Sequence, residues 1–377
     1  MKKVSVMLGI CLSALLFAGC GSSNTNSVNH SSNHYQTTGN AESGEYKGVI
    51  HNGRYQTSKS RGVGISQNSD NLLNLKSFES GLTTISKEHF STKSYVFREG
   101  QILSKSTVED WLGRKSKSNP NGLNPVNNHK TGANTRNPMY VQQIEEQDYM
   151  REEGGKLKLA GLTIGIGMNH KDYYQKQKYG ATYTTTIPHA KMVAEGKKAA
   201  AEVLSRLRQN GQVGSNIPIV IAMYEQAPND SLVGGSFYAT TVSNSGSEIG
   251  TWKSTNIKSY VFPATSSSSV PSTNDSDSFN NFKQRVQKFF PNLAGVTAQA
   301  QYQNKTLQGM NISITTQFYS ETEITSFTQY VAKAAKTYLP NRIPIDIQIK
   351  GSDGQVQSFV SRSQGSGSFY THVFSSY

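Results

Sequence analysis

The sequence predicts an α+β protein made of two duplicated domains, each a mainly antiparallel sheet with helices packed on one face. Three observations carry this prediction. Lys93-Ser94-Tyr95-Val96-Phe97 recurs unchanged as Lys258-Ser259-Tyr260-Val261-Phe262. Leu159-Ala160-Gly161-Leu162-Thr163-Ile164-Gly165-Ile166 is matched by Leu307-Gln308-Gly309-Met310-Asn311-Ile312-Ser313-Ile314. In both copies the apolar residues fall on odd positions before the first Gly and on even positions after it, as a β-bulge requires. Ile217-Pro218-Ile219 and Ser236-Phe237 then return as Ile343-Pro344-Ile345 and Ser358-Phe359. The offset falls steadily, from 165 (Lys93 to Lys258) to 148 (Leu159 to Leu307), 126 (Ile217 to Ile343) and 122 (Ser236 to Ser358), so the second copy has shorter loops.

The elements follow in order. A helix near Ser69 to Ile85 places Leu72, Leu75, Phe78, Leu82 and Ile85 on one apolar face. After the strand at Tyr95 comes a helix with Trp111, then the long hairpin with its Gly switch. Pro188 opens a helix with Val193, Ala200, Leu204 and Leu207 on one face, and Asn210-Gly211 closes it. The Ile-Pro-Ile strand and a strand over 235–242 complete the first copy, with Pro218 at an edge or a strand start. In the second copy Phe279, Phe282, Val286 and Phe289 follow Asp275-x-Asp277 at helical spacing up to Pro291. A capping box, Ser320-Glu321-Thr322-Glu323, starts a helix with Ile324, Phe327, Val331, Ala334 and Tyr338 inward, and Pro340 stops it. The domains are expected at 46–250 and 251–377, with the Ser-rich stretch 265–278 a loop near their junction.

Ahead of them, Lys2 and Lys3 precede an apolar run from Val4 to Phe17 that ends in Leu16-Phe17-Ala18-Gly19-Cys20. This resembles a bacterial lipoprotein signal covering 1–19, cleaved between Gly19 and Cys20, with a diacylglyceryl thioether on Cys20. The expected location is the extracytoplasmic face of the cell membrane, held by two or more acyl chains. An ordinary signal peptide that happens to contain a Cys fits the residues before Cys20 less well. The chain has only two cysteines, Cys11 and Cys20. Processing removes the first and acylates the second, so thiol nucleophiles, thiolate metal sites and disulfides are excluded. Residues 20–45, almost free of core-forming side chains, are expected to be a disordered tether with a reach of about 25 to 30 Å. His30 and His34 inside it lack a fold to hold a metal.

With 38 Lys+Arg against 25 Asp+Glu among 377 residues the chain carries +13, and loss of the two signal lysines leaves +11. Membrane lipid through acylated Cys20 and an anionic cell-envelope surface are the expected partners, with a small ligand or peptide besides. Nucleic acid is not expected, because the basic residues are dispersed and no reading motif accompanies them.

No catalytic signature appears, and no enzyme activity, cofactor or metal is expected. Lys130-Thr131-Gly132 has no Ser-x-x-Lys elsewhere to complete a penicillin-recognising site. Gly165-x-Gly167 lies within a strand and lacks the third Gly of a dinucleotide fingerprint. His89, His129, His170, His189 and His372 are scattered singly. The acidic run Glu145, Glu146, Asp148, Glu152 and Glu153 reads as a solvated hairpin edge rather than an acid/base pair, which needs partial burial. The loop 116–138, preceded by Trp111, reads equally as a binding loop or a disordered insertion.

The residues Phe97-Arg98-Glu99-Gly100-Gln101, Trp111-Leu112-Gly113-Arg114, Asn121-Gly122-Leu123-Asn124-Pro125 and Leu159-Ala160-Gly161 resemble the CamS family of Gram-positive lipoproteins, the sex-pheromone precursors. The resemblance spans nearly the whole mature chain. It implies that the shed signal peptide is trimmed to an apolar signalling heptapeptide, here Ser13-Ala14-Leu15-Leu16-Phe17-Ala18-Gly19, which contains a Ser and a Gly and no Ile. The candidate binding loop comprises Trp111, Arg114, Asn121 and Asn124. An interdomain cleft, common between duplicated domains, is the other candidate binding site.

Overall fold

The structure, a computed structural model, describes residues 35–39, 44–63, 71–265, 270–289, 295–317 and 320–375. The signal segment, the heptapeptide Ser13–Gly19, Cys20, His30 and His34 lie outside the described residues. Among the described residues no helix is long and apolar enough to cross a membrane.

The expected tether gives way earlier than its composition suggested. Strand β1 (Tyr35–Thr37) pairs antiparallel with β2 (Val49–His51), which turns at Asn52 and Gly53 into β3 (Arg54–Tyr55). Backbone pairing and the Tyr35 ring against His51, 5.0 Å between centroids, hold β1, whose burial is slight, so a hydropathy reading has little to detect.

The first half contains α1 (Leu72–Lys87), β4 (Val96–Glu99), α2 (Lys105–Leu112), β5 (Val141–Glu153), β6 (Lys156–Asn169), β7 (Lys171–Gln175), β8 (Thr182–Thr186), α3 (His189–Gln209), β9 (Ile219–Gln226), β10 (Ser236–Ser243) and β11 (Lys253–Ser254). The second contains β12 (Ile257–Phe262), α4 (Thr273–Gln287), β13 (Gly295–Gln303), β14 (Thr306–Thr316), α5 (Glu321–Tyr338), β15 (Ile345–Gly351), β16 (Val356–Arg362) and β17 (Tyr370–Val373). The two main sheets have the same plan, β11-β10-β9-β6-β5-β4 and β17-β16-β15-β14-β13-β12. In each, the hairpin's second strand continues through a crossover helix into a parallel neighbour, β6 to β9 and β14 to β15. The duplication and the α+β class are therefore present in the fold. Both Gly switches are bulges at equivalent places: Tyr149 faces Gly161 while Met150 faces Leu159, and Gln301 faces Gly309 while Tyr302 faces Leu307.

Pro218 and Pro344 precede interior strands, so they mark strand starts and not edges. In the second half α4 and α5 cover one face, with Phe279, Phe282, Phe327 and Val331 on Ile312, Ile314, Ile345 and Ile347. The alternate residues Gln299, Asn311, Asp346 and Gln348 stay exposed. The first half places α2 and α3 on one face, against Ile164, Ile166, Ile219 and Ile221. Its additional helix, α1, covers the opposite face with Phe78, Leu82 and Ile85 on Val220, Ala222, Tyr224 and Phe237. That sheet is therefore covered on both sides, and its strands read as near-continuous apolar runs. A Cβ at Gly165 would lie 2.6 Å from the Phe78 ring, so the glycine lets α1 settle onto the sheet.

Leu72, expected inward, is 68% exposed. Asn74 takes the inward position of the first turn instead. Its Oδ1 accepts from the N–H groups of Ala227 and Gly235, both at 2.9 Å, and its Nδ2 donates to the Ala227 carbonyl at 3.0 Å. Backbone groups at the end of β9 need those partners more than the core needs another leucine. Ser320 stands at the N-cap of α5 as expected, but its hydroxyl pairs with Thr322 Oγ1 at 3.1 Å and the reciprocal capping box does not form.

Candidate ligand cavity

Strand β4 and the turn after it build one wall of a large cavity. Alternation along Phe97-Arg98-Glu99 sends Phe97 and Glu99 toward α1 and Arg98 to the other side. Opposite them, β5 sends Glu145, Gln147 and Tyr149 toward α1, and Glu146 and Asp148 away. The acidic run thus divides between two faces. It is not a solvated edge: Asp148 is fully buried and Glu146 is 2% exposed, while Glu152 and Glu153 near the turn are exposed. The correction follows from strand order, because β5 lies inside the sheet between β6 and β4, and only the last residues before Gly154 and Gly155 form the hairpin tip.

On the far face the buried carboxylates hold the fold. Glu146 accepts backbone N–H donations from Gln101 (3.1 Å), Ile102 (2.9 Å) and Leu103 (2.6 Å), ordering the turn into α2. A Cβ at Gly100 would lie 2.6 Å from Glu146 Cβ, which explains a glycine there. Arg98 donates through Nε (2.9 Å) and Nη2 (2.6 Å) to Asp148 Oδ2. Burial and the Glu146 carboxylate hold Asp148 above the usual carboxylate range against the pull of Arg98.

On the near face is a cavity of about 800 Å³, bounded by residues 55–62, the outer side of α1, and β4 and β5. Glu79, Glu99 and Glu145 line it, with Arg61 opposite and Tyr55 and Phe97 as apolar walls. Burial, reinforced by Glu79 and Glu99, pushes Glu145 up to about 8. Glu79 is raised by burial and by Glu99, with Arg61 opposing. Glu99 accepts the Ser58 N–H at 2.5 Å, and burial, reinforced by Glu99, raises the Tyr55 hydroxyl above its ordinary value. A buried carboxyl raised by two neighbouring carboxylates favours a positively charged partner, or a proton when none is bound.

Lys76 and Ser80 of α1 line this cavity and also a second one of about 340 Å³ between α1 and the open face of the second sheet. Gln301, Asn311 and Asp346 stand across it, and Gln299 Nε2 donates to the Leu232 carbonyl at 2.7 Å, joining the two halves. This is a cleft between the two halves, and its lining mixes these polar groups with Leu73, Val233, Met310 and Pro344.

The candidate loop residues are brought together by the fold, but mostly to hold one another. Asn124, 1% exposed, accepts from the N–H groups of Tyr140 (2.6 Å) and Val141 (2.9 Å) and donates to the carbonyls of Leu112 (2.8 Å) and Val141 (2.9 Å). Arg114 donates to the carbonyls of Pro125 (3.0 Å) and Asn137 (2.8 Å). Trp111 is buried in the core beneath the Arg206 guanidinium, 5.2 Å from its ring, and Asn121 is exposed with its carbonyl bonded to Arg206. The loop 116–138 is an ordered structure built by its own asparagines. Two of the scattered histidines also meet: His170 and His189 approach the two oxygens of Glu225 at 3.4 and 3.1 Å. They lie beyond the end of β6 and at the start of α3, at the base of the β7–β8 hairpin, whose pairing of Lys171 with Thr186 brings them together, while the parallel pairing of β6 with β9 sets Glu225 beside them. Among the described residues no group of three or more His, Cys, Asp or Glu is placed to hold a metal.

The family model described as CamS sex pheromone cAM373 precursor matches residues 55–368. A crystal structure of a sex pheromone precursor from Lactobacillus salivarius subsp. salivarius UCC118 is 69% identical, with 91% of this chain and 100% of that one covered, at a TM-score of 0.88. The C-terminal domain of the sex pheromone staph-cAM373 precursor from Staphylococcus aureus is 28% identical, with 82% and 99% covered, at a TM-score of 0.71. No curated protein matches the chain.

Proposed function

The chain belongs to the CamS family of sex pheromone cAM373 precursors, and from that premise we propose a lipoprotein with two products. One is the mature body, anchored by acylated Cys20 on the extracytoplasmic face of the membrane. The other is the heptapeptide Ser13–Gly19, trimmed from the shed signal peptide. Support for the anchor is the run Leu16-Phe17-Ala18-Gly19-Cys20 behind Lys2 and Lys3. The peptide carries no charged side chain, and burying its Leu and Phe side chains in a receptor is worth roughly 1.5 to 3 kcal/mol each. A synthetic Ser13–Gly19 peptide is expected to induce clumping of plasmid donors. If it is inert while the body, expressed behind an unrelated lipoprotein signal, retains a phenotype, the precursor role is nominal.

The body, in this reading, binds a ligand and turns nothing over. The observation that carries it is the Glu79, Glu99 and Glu145 cavity, an acidic site of about 800 Å³ in a chain of formal charge +13. Its ligand is a small molecule or peptide bearing positive charge. Acetyl-Arg-Arg-amide is a suitable probe, since both guanidiniums stay charged across the relevant pH. Because Glu145 must lose its proton to engage a cation, the dipeptide is expected to bind roughly tenfold tighter or more at pH 8.5 than at pH 6. Glu99→Gln and Glu145→Gln are expected to weaken it. Equal affinity at both pH values and in both variants would remove the cavity from the account. The second reading, a ligand held in the interdomain cleft, is favoured by the polar side chains of Gln301, Asn311 and Asp346 facing α1.

A further inference from the structure

The second part of the loop 116–138 folds against the β7–β8 hairpin and lines with it an open pocket of about 280 Å³. Arg114, His129, Lys130, Arg136 and Lys176 line it, and among the described residues no carboxylate does. Arg136 is only 9% exposed. It is ion-paired to Asp172, a 5% exposed side chain of β7 outside the cavity lining, and its Nη1 reaches Thr185 Oγ1 at 3.2 Å. Its guanidinium lies 3.9 Å over the Tyr174 ring, which fixes the plane of the fork. Arg114 is anchored through both terminal nitrogens to backbone carbonyls, and those neutral partners do not compensate its charge.

Two half-buried or buried guanidiniums thus stand close enough for Arg136 to lower the pKa of Arg114, after burial the largest cause, while a single carboxylate counters them. Lys130 and Lys176 on the exposed rim add two further charges. Two held guanidiniums and two rim ammoniums against Asp172 leave the site short of anion. A like-charge arrangement of this kind costs stability when empty and is relieved by a bound anion. Each guanidinium has five N–H donors and commits only some of them to the contacts above, so the remaining N–H groups with their charge can meet the oxygens of a phosphate, and the ammonium rim adds long-range attraction.

We propose that this cavity is a phosphate-ester binding site, independent of the acidic cavity and of the signal-peptide product. The shared chemistry is a phosphate group with a polar substituent, drawn either from a soluble ester or from a lipid headgroup at the membrane surface. The test uses the full-length protein with three probes in buffers of equal ionic strength: sodium phosphate, glycerol 3-phosphate, and vesicles of phosphatidylglycerol and phosphatidylcholine at one to three. Each is measured on the natural chain, on the Lys130→Glu/Lys176→Glu double variant, and on a Lys333→Glu/Lys336→Glu control. The control makes the same change in net charge on the exposed side of α5. All four lysines are exposed, so both variants are expected to keep the thermal midpoint of the natural chain.

The expected result is that at least one probe binds and that its dissociation constant rises tenfold or more in the rim variant but less than twofold in the control. Binding of the soluble phosphates identifies a free ester as the source, and binding of vesicles alone identifies the headgroup; either result supports the site. No binding by any probe, or equal weakening in the two variants, overturns it. Equal weakening would reduce the effect to general attraction toward a basic protein.

Discussion

Glu145 is the residue on which burial and charge are most directly opposed. It stands half-buried on β5 with its pKa pushed up to about 8, where an ordinary Glu titrates near 4.3. A carboxyl whose folded pKa is raised contributes most to stability when protonated in both states. That contribution is present below about pH 4.3 and is lost as pH rises through about 8. Glu145→Gln, which stays neutral, is therefore expected to match the natural chain in thermal midpoint near pH 4 and to exceed it increasingly up to pH 8. A constant difference across that range would mean that Glu145 is not desolvated. The sequence shows Glu145, Glu146 and Asp148 as a cluster, but their burial depends on whether β5 is an interior strand, and that is fixed by a pairing with β4 some fifty residues away. Asn124 was likewise visible as part of a motif. Its role came from closing the hydrogen bonds of Leu112, Tyr140 and Val141, an internal use that a motif does not distinguish from ligand recognition.

At the scale of elements, the paired bulges are the clearest case of structure legible in advance. A switch of apolar parity at a Gly has one simple physical cause, so both copies could be read from a single pattern. Their packing differs, and the sequence does not reveal that. A Cβ at Gly161 would lie 2.3 Å from Phe90 Cε1, in a stacked contact with Tyr149, whereas at Gly309 the nearest atom is Pro344 Cγ at 3.2 Å, on an open face. Gly161→Ala is expected to cost about 1 to 3 kcal/mol from overpacking, and Gly309→Ala less than about 1 kcal/mol. Denaturant unfolding of the two variants checks this; equal losses would mean the two bulges are equally packed. The apolar stripe of α1 was legible from Phe78 onward and wrong at Leu72, because the first turn of a helix satisfies backbone groups before it packs a core.

Across the whole molecule, one plan is used twice with different exposure. The first sheet is closed on both faces by α1 and by α2 with α3, and the second leaves a polar face open, so only the first has strands that are apolar on both sides. This difference could not be read from the repeats, because α1 precedes the duplicated unit. The charge is also unevenly placed: carboxylates gather around one cavity and guanidiniums around another, while the chain as a whole is basic. Such segregation fits the proposal of a body anchored at an anionic surface that presents an acidic pocket to solvent. In the proposed reading, acylated Cys20 holds that body at the membrane. Intact-mass and N-terminal analysis of the protein extracted from the membrane fraction tests that most directly. The account predicts a mature chain starting at Cys20, heavier than its sequence by at least a diacylglyceryl group, and its release into the medium or retention as unprocessed precursor in Cys20→Ala. A membrane-bound protein of unmodified mass, or one whose N terminus and location are unchanged in Cys20→Ala, would contradict it.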